Sequence, residues 1–186
     1  MDYDSDRPLS KNKIVDNKLT TATGASNYKV IIVPQCEVIN PETLSTIVAL
    51  ASKGGTVVIQ ALPQDVPGLS NLEQRRSDLK TIVSKFIFRD VAVGIKQYKV
   101  GKGSIFLGRD VENILSFNKI NKEELTSSGL QFIRRKVASG KYYYLVNHTS
   151  KAIDQFVSLN EKGNVAILDP QSEAVGMASV KDDKVR

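Results

Sequence analysis

Cys36 and His148 are the first candidates for catalysis, because they are the single cysteine and the single histidine in 186 residues. A thiol nucleophile needs a histidine as base and a carboxylate to orient that base. The sharp turn that presents such a thiol is typically flanked by glycines. Cys36 stands in Pro34-Gln35-Cys36-Glu37-Val38, without a flanking glycine, and His148 lies in a segment of different pattern. We therefore interpret Cys36 as a structural or surface thiol.

His148 is also the natural candidate for a metal ligand. It lies in Asn147-His148-Thr149, just past a predicted strand. One histidine with no second histidine or nearby cysteine makes a poor metal site. We predict a solvated turn residue, no metal ligands and no cofactor-binding residues.

Gly101-Lys102-Gly103-Ser104 partly resembles a phosphate-binding loop. A Walker loop needs another glycine upstream, where this chain has Lys96 or Tyr98, and it must lead into a helix whose N-terminal amides hold phosphate. Here a predicted strand follows. The segment is therefore interpreted as a β-turn.

Glycoside hydrolysis needs a pair of carboxylates. Six carboxylates are candidates, but none stands in an aromatic-rich context: Asp65, Glu73, Glu123, Glu124, Asp154 and Asp169. The chain has no tryptophan, and Tyr142-Tyr143-Tyr144 is its one aromatic cluster. Alternation along a strand puts Tyr143 on one face and its two neighbours on the other. We predict no catalytic residue, and a carbohydrate contact through the exposed tyrosine face remains an alternative.

The composition excludes several functional classes. The net charge is +6, but the basic residues are spread along the chain, which does not favour nucleic-acid binding. No apolar run approaches the ~20 residues that span a membrane. The polar, acidic start Met1–Asp4 is unlike a signal peptide.

The first part of the chain has the pattern of alternating strands and helices. Short β-branched runs at 29–33 and 56–60 predict strands buried on both faces, as in a parallel sheet. Between them, Asn40 can cap a helix over 41–53, and Gly54-Gly55 ends it. Strand, helix and strand form a βαβ unit.

The pattern continues with a helix over 72–86, paired strands at 95–100 and 104–107, and a short helix capped by Asp110. We predict a small flavodoxin-like, parallel-sheet α/β domain over residues 1–125.

The remainder, residues 126–186, has a purely β pattern. Period-2 alternation over 130–137 and 142–147 around a glycine-containing turn predicts a hairpin. Arg134 and Arg135 point to opposite faces of it, and we expect one of them to bind a carboxylate or carbonyl groups. The segment predicts a partial antiparallel β-sandwich, since it ends before enough strands have appeared to complete one. We expect this part to expose apolar surface, and to be either the less stable part of the chain or stabilised by self-association.

Several motifs together resemble one family. They are YKVIIVP at 28–34, PETLSTIVALASKGGTVVI at 41–59, ALPQDVPGL at 61–69, GKGSIFLG at 101–108, and GLQFIRR with GKYYYLVN from residue 129, followed by LDP at 168–170. Their order and spacing resemble the C-terminal region of bacterial glycoside hydrolases of family 106, the α-L-rhamnosidase type. The opening DYDSDRPL at 2–9 is similar to the segment that enters this region.

The resemblance implies a class I amidotransferase-like α/β accessory domain, and catalytic carboxylates in an upstream barrel that this chain lacks. We therefore expect a non-catalytic accessory fragment of a glycoside hydrolase acting on plant or bacterial polysaccharides, inactive alone and with the catalytic barrel as its partner. The parent is expected to be periplasmic or secreted. The alternative is a free-standing carbohydrate-binding or protein-interaction module.

Overall fold

The computed structural model describes residues 9–24, 27–120, 123–137, 139–159 and 163–186. The chain divides into two compact units, Met1–Ile120 and Asn121–Arg186. The sequence analysis placed the change of architecture after residue 125, and the contacts group residues 121–125 with the second unit.

A small antiparallel sheet opens the first unit, formed by β1 (Lys13–Val15), β2 (Lys18–Thr20) and β3 (Asn27–Tyr28). Asp16 and Asn17 connect β1 to β2 with φ angles of 48° and 58°. Positive φ at both central residues matches the twist of the flanking strands, and Asp and Asn tolerate it better than most residues. Leu19 points into the core of the unit.

The main sheet of the first unit has five strands in the order β4-β5-β8-β7-β6. These strands are β4 (Ile31–Val33), β5 (Thr56–Ile59), β6 (Arg89–Ala92), β7 (Ile95–Val100) and β8 (Gly103–Leu107). β4, β5 and β8 pair in parallel, and β7 pairs antiparallel with both β8 and β6.

The sheet is therefore mixed, where the sequence analysis predicted a parallel-sheet domain. The reason is local, since Gly101 and Lys102 alone connect β7 to β8. A connection this short can join only antiparallel neighbours, because a parallel crossover needs a dozen or more residues. Gly101 has a φ of 55°, and a Cβ there would lie 2.3 Å from the carbonyl oxygen of Ser52. Only glycine fits this turn.

Three helices are found among the described residues of this unit: α1 (Pro41–Ser52), α2 (Leu72–Val83) and α3 (Val111–Phe117). The Asn40 side chain caps α1 by accepting the Glu42 amide at 3.3 Å, as predicted. The Asp110 side chain accepts the Asn113 amide at 3.0 Å at the start of α3. α2 ends before its predicted end at residue 86, and the Phe86 ring packs at 5.8 Å against that of Phe88 instead.

Both faces of the main sheet are covered. Val57 and Ile59 of β5 contact the core on the side of α1 and α2, which contribute Leu44 and Leu79. Val58 points to the opposite face, into a cluster that includes Ile114 of α3. A continuous apolar run is therefore buried on both sides, as expected for an interior strand.

The sheets among the described residues of the second unit are small and antiparallel. Its strands are β9 (Leu130–Val137), β10 (Gly140–Asn147), β11 (Val157–Ser158), β12 (Ala166–Leu168), β13 (Val175–Met177), β14 (Val180–Lys181) and β15 (Lys184–Val185). β9 pairs with β10 and β12 with β13, while β11, β15 and β14 form a three-stranded sheet. The predicted hairpin is present, but these sheets do not establish the predicted sandwich.

No helix in the described ranges has both the length and the apolar character to cross a bilayer.

Candidate functional site

The carboxyl edge of the parallel strands is where α/β proteins usually place ligands. Here one side chain joins the loops at that edge. Gln60, directly after β5, accepts the Gln35 backbone N–H at 3.1 Å and donates from Nε2 to the Arg109 carbonyl at 3.1 Å. Gln35 and Arg109 follow β4 and β8, so one amide links the ends of all three parallel strands.

The adjoining loops close the same edge further. The backbone N–H of Ile39 donates to the Asp65 carbonyl at 3.1 Å, and that of Gln64 donates to the Glu37 carbonyl at 2.9 Å. The three parallel strands lie side by side across the sheet in chain order, β4 then β5 then β8, so the strand order does not reverse between neighbouring parallel strands. Ligand crevices of open α/β sheets form where it reverses. This edge is tied together by the chain's own polar groups.

Cys36 lies at this edge as a half-buried free thiol. Burial raises the pKa of the Cys36 thiol, which keeps it protonated and reduces its nucleophilicity. Cys36 belongs to the first unit and the single histidine, His148, to the second. Gln60 stands directly after β5, so a glutamine and not a cysteine occupies the end of that strand.

A bidentate ion pair fastens the loop after β5 to α2. Arg76 donates from Nε to Asp65 Oδ1 at 2.8 Å and from Nη2 to Oδ2 at 2.7 Å. Its Nη1 also reaches Glu73 Oε1 at 3.3 Å. The hydrogen bonds from Arg76 hold the pKa of Asp65 well below its usual range. Asp65 therefore stays ionised at neutral pH and is unsuited to act as a general acid.

Gly101–Ser104 is a turn and not a phosphate loop. The Lys102 N–H donates to the Ser52 carbonyl at 2.9 Å, at the C-terminal end of α1. Such terminal carbonyls lack partners within their own helix. The Lys102 amide is therefore bound to the helix and does not point to a phosphate.

The second unit contains a polar cluster of Glu123, Arg134 and Tyr143. The Glu123 side chain is only 8% exposed and forms an ion pair with Arg134. Its Oε1 also accepts the Tyr143 hydroxyl at 3.2 Å. Burial raises the pKa of Tyr143, so this phenol remains a donor across the physiological range. Of the two arginines considered, Arg134 is the one bound to a carboxylate.

Sequence reasoning named Glu123 only as one carboxylate among six. Arg134 and Tyr143 lie directly opposite each other in the β9–β10 register; the sequence predicted the two strands but not this pair. No local pattern marks Glu123 as buried, because it precedes the 3-10 turn Glu124–Ser128 and not a strand.

Two further carboxylates of the second unit accept hydrogen bonds from neighbouring groups of the same unit. Asp154 accepts Nε and Nη2 of Arg186, both at 2.6 Å. Asp169 accepts the Ser172 hydroxyl and the Gln171 amide. The Arg186 hydrogen bonds lower the pKa of Asp154, and the Ser172 hydroxyl lowers that of Asp169.

The described ranges contain no group of three or more His, Cys, Asp or Glu side chains that could hold a metal ion. His148 is exposed.

The alternation predicted for the three tyrosines is observed. Tyr143 is half-buried, whereas Tyr142 and Tyr144 are 59% and 60% exposed. Ile133, opposite Tyr144 on the neighbouring strand, is 71% exposed. One face of the hairpin thus packs within its unit and the other presents aromatic side chains to solvent.

Comparison with protein families shows which family the chain belongs to. A model of the glycoside hydrolase 106 family, alpha-L-rhamnosidase, matches residues 1–173. This chain belongs to that family. The match extends through both units and confirms the glycoside hydrolase relationship that the motifs predicted.

Solved structures show the same relationship at the level of the fold. A rhamnosidase from Novosphingobium sp. PP1Y superposes on 95% of this chain with a TM-score of 0.75 and 20% sequence identity. The superposed region is 17% of that protein, so this chain corresponds to a small part of its length. A GH42 beta-galactosidase, Gan42B, has a TM-score of 0.49 over 86% of this chain at 16% identity, too low to support an argument. No curated protein sequence matches.

Proposed function

We propose that this chain is a non-catalytic accessory part of an α-L-rhamnosidase-like glycoside hydrolase, whose reaction is carried out by residues outside it. The remainder of that enzyme, including a catalytic barrel, is its proposed partner.

The observation that carries this proposal is the direction in which the pKa values of the carboxyl groups are shifted. Each described carboxyl group with a resolved pKa shift has a lowered pKa: Asp65, Asp154 and Asp169. A glycosidase general acid needs the opposite, a raised pKa that keeps its proton at working pH. Glu123, the carboxylate most shielded from water among the ion pairs, is bound to Arg134 and Tyr143 and serves the packing of the hairpin.

We also propose that the first unit is a class I amidotransferase-like α/β domain without amidotransferase chemistry. The parallel strands β4, β5 and β8 with α1 and α2 support the likeness. The protonated thiol of Cys36 and the Gln60 amide after β5 argue against the chemistry.

The proposal is tested with the purified chain and a panel of aryl glycosides that includes an aryl α-L-rhamnoside. We expect no turnover above a buffer blank. Turnover that is abolished by Glu123→Gln or Asp65→Asn, and retained in the matched variant Glu124→Gln, would place catalytic carboxylates in this chain and reject the proposal.

The partner is tested separately by extending the chain upstream within its gene. Rhamnoside hydrolysis by the extended protein, absent from this chain, is the expected result. An extension that encodes no further domain would favour the free-standing module.

A further inference from the structure

The β9–β10 hairpin has one anchored face and one free face. On the anchored face the Phe132 and Tyr143 rings pack with centroids 6.1 Å apart, and Glu123 binds Arg134 and Tyr143. These contacts fix the strands without using the opposite face. The free face is therefore held in place by interactions that a ligand would not disturb.

The free face carries two tyrosines in a regular array. Tyr142 and Tyr144 lie two residues apart on β10, about 6.8 Å along the strand, since each residue advances about 3.4 Å. Arg135 is the cross-strand partner of Tyr142, and Ile133 is that of Tyr144. Two exposed aromatic side chains thus stand beside one guanidinium and one aliphatic side chain.

A second exposed apolar surface in the same unit has different chemistry. The β12–β13 hairpin exposes Leu168, Val175 and Met177 at 59%, 73% and 67%. Its register puts these three on one face with Ala166. A purely aliphatic surface gains stability only by exclusion of water, which suits contact with another polypeptide surface.

The tyrosine face offers interactions that an aliphatic face lacks. The centre of an aromatic ring is electron-rich, so it attracts the weakly positive C–H bonds on the apolar face of a pyranose ring. Phenolic hydroxyls and a guanidinium supply hydrogen bonds to sugar hydroxyls. Each Tyr has only two χ angles, so ordering it on binding costs little conformational entropy.

We propose that the free face of the β9–β10 hairpin is a carbohydrate-binding platform, on which Tyr142 and Tyr144 stack the rings of a neutral oligosaccharide and Arg135 binds its hydroxyls. The choice of a sugar as ligand rests on the proposed function, since an accessory part of a glycoside hydrolase acts where oligosaccharides are present.

Tyrosine emission provides a direct test, because the chain has six tyrosines and no tryptophan. The full chain is titrated with methyl α-L-rhamnoside and with a rhamnose-containing oligosaccharide, and the affinity is confirmed by calorimetry. We expect saturable binding, tighter for the oligosaccharide because two rings are engaged. Tyr142→Ala and Tyr144→Ala should each weaken binding about ten-fold, the order expected for loss of one stacked aromatic contact.

Val175→Ala on the aliphatic hairpin is the matched control and should bind as the parent chain does, with circular dichroism confirming that all variants are folded. Absence of saturable binding, or equal loss in Val175→Ala, overturns the platform. So does a dimer that Tyr144→Ala dissociates, because a second copy would then cover this face. A negative result leaves the proposed accessory role standing, since that role is tested by turnover.

Discussion

The two units differ in how much apolar surface they bury. Among the described residues, sixteen of the eighteen buried hydrophobic side chains belong to the first unit, and Leu125 and Val157 are the two in the second. The exposed large hydrophobic side chains show the reverse, with ten of seventeen in the second unit. The second unit is also the shorter one, Asn121–Arg186 against Met1–Ile120.

This difference shows that the two units are stabilised in different ways. The first has a sheet covered on both faces, which removes apolar area from water, the dominant favourable term in folding. The second relies on polar contacts such as the Glu123 cluster and on two-stranded hairpins, which are marginally stable alone. Additional stability for the second unit would come from whatever covers its exposed surface.

The largest expected effect is loss of the first unit's core. Ile105 lies in β8 and is 0% exposed, so Ile105→Ala leaves a cavity and should destabilise that unit by about 2–5 kcal/mol in urea unfolding. Val93→Ala, at a residue 93% exposed, is the control and should change the unfolding free energy by less than about 0.5 kcal/mol. Equal effects of the two substitutions would show that this core does not set the stability.

A smaller, more local effect is expected from Glu123→Gln. The change removes the negative charge beside Arg134 and weakens the contact to Tyr143, at a cost of roughly 1–3 kcal/mol. In hydrogen exchange, residues 130–147 should lose protection while residues 31–59 keep theirs. Glu124→Gln, at the exposed residue next to Glu123, is the control. Equal loss of protection in both regions would mean that the units unfold together.

Asp65→Asn tests the ion pair to Arg76 through its pH dependence. Because the folded-state pKa of Asp65 is lowered, the pair stabilises the protein above the unfolded-state pKa of about 3.9, and this contribution is lost as pH falls below it. The variant should thus melt below the parent chain at pH 7, and the difference should shrink as the pH is lowered below 4. A difference independent of pH would assign the effect to packing.

The smallest effect is expected for Cys36→Ser. The thiol is half-buried, and burial raises the pKa of Cys36, so stability should change little and the parent thiol should react slowly with iodoacetamide at pH 7. Rapid, stoichiometric labelling of Cys36 by 6-diazo-5-oxo-norleucine, a glutamine-analogue electrophile, would contradict this and revive amidotransferase chemistry.

The sequence by itself determined several local elements in each unit. The β-branched run at 56–60 predicted an interior strand, and Asn40 and Asp110 predicted two helix starts. Alternation predicted the β9–β10 hairpin and placed Tyr142 and Tyr144 on the face opposite Tyr143. These features follow from period, capping and turn chemistry, which act over a few residues.

The tertiary structure decided which residues that are distant in the chain contact one another. The short strand β6 had no clear periodicity and was not predicted, and the mixed strand order follows from the β7–β8 turn. Gln60 joins loops 25 and 49 residues away along the chain. Glu123 is buried because Arg134 and Tyr143, 11 and 20 residues away, satisfy its charge. A single polar residue has no pattern of its own, and its role depends on partners that only the folded chain provides.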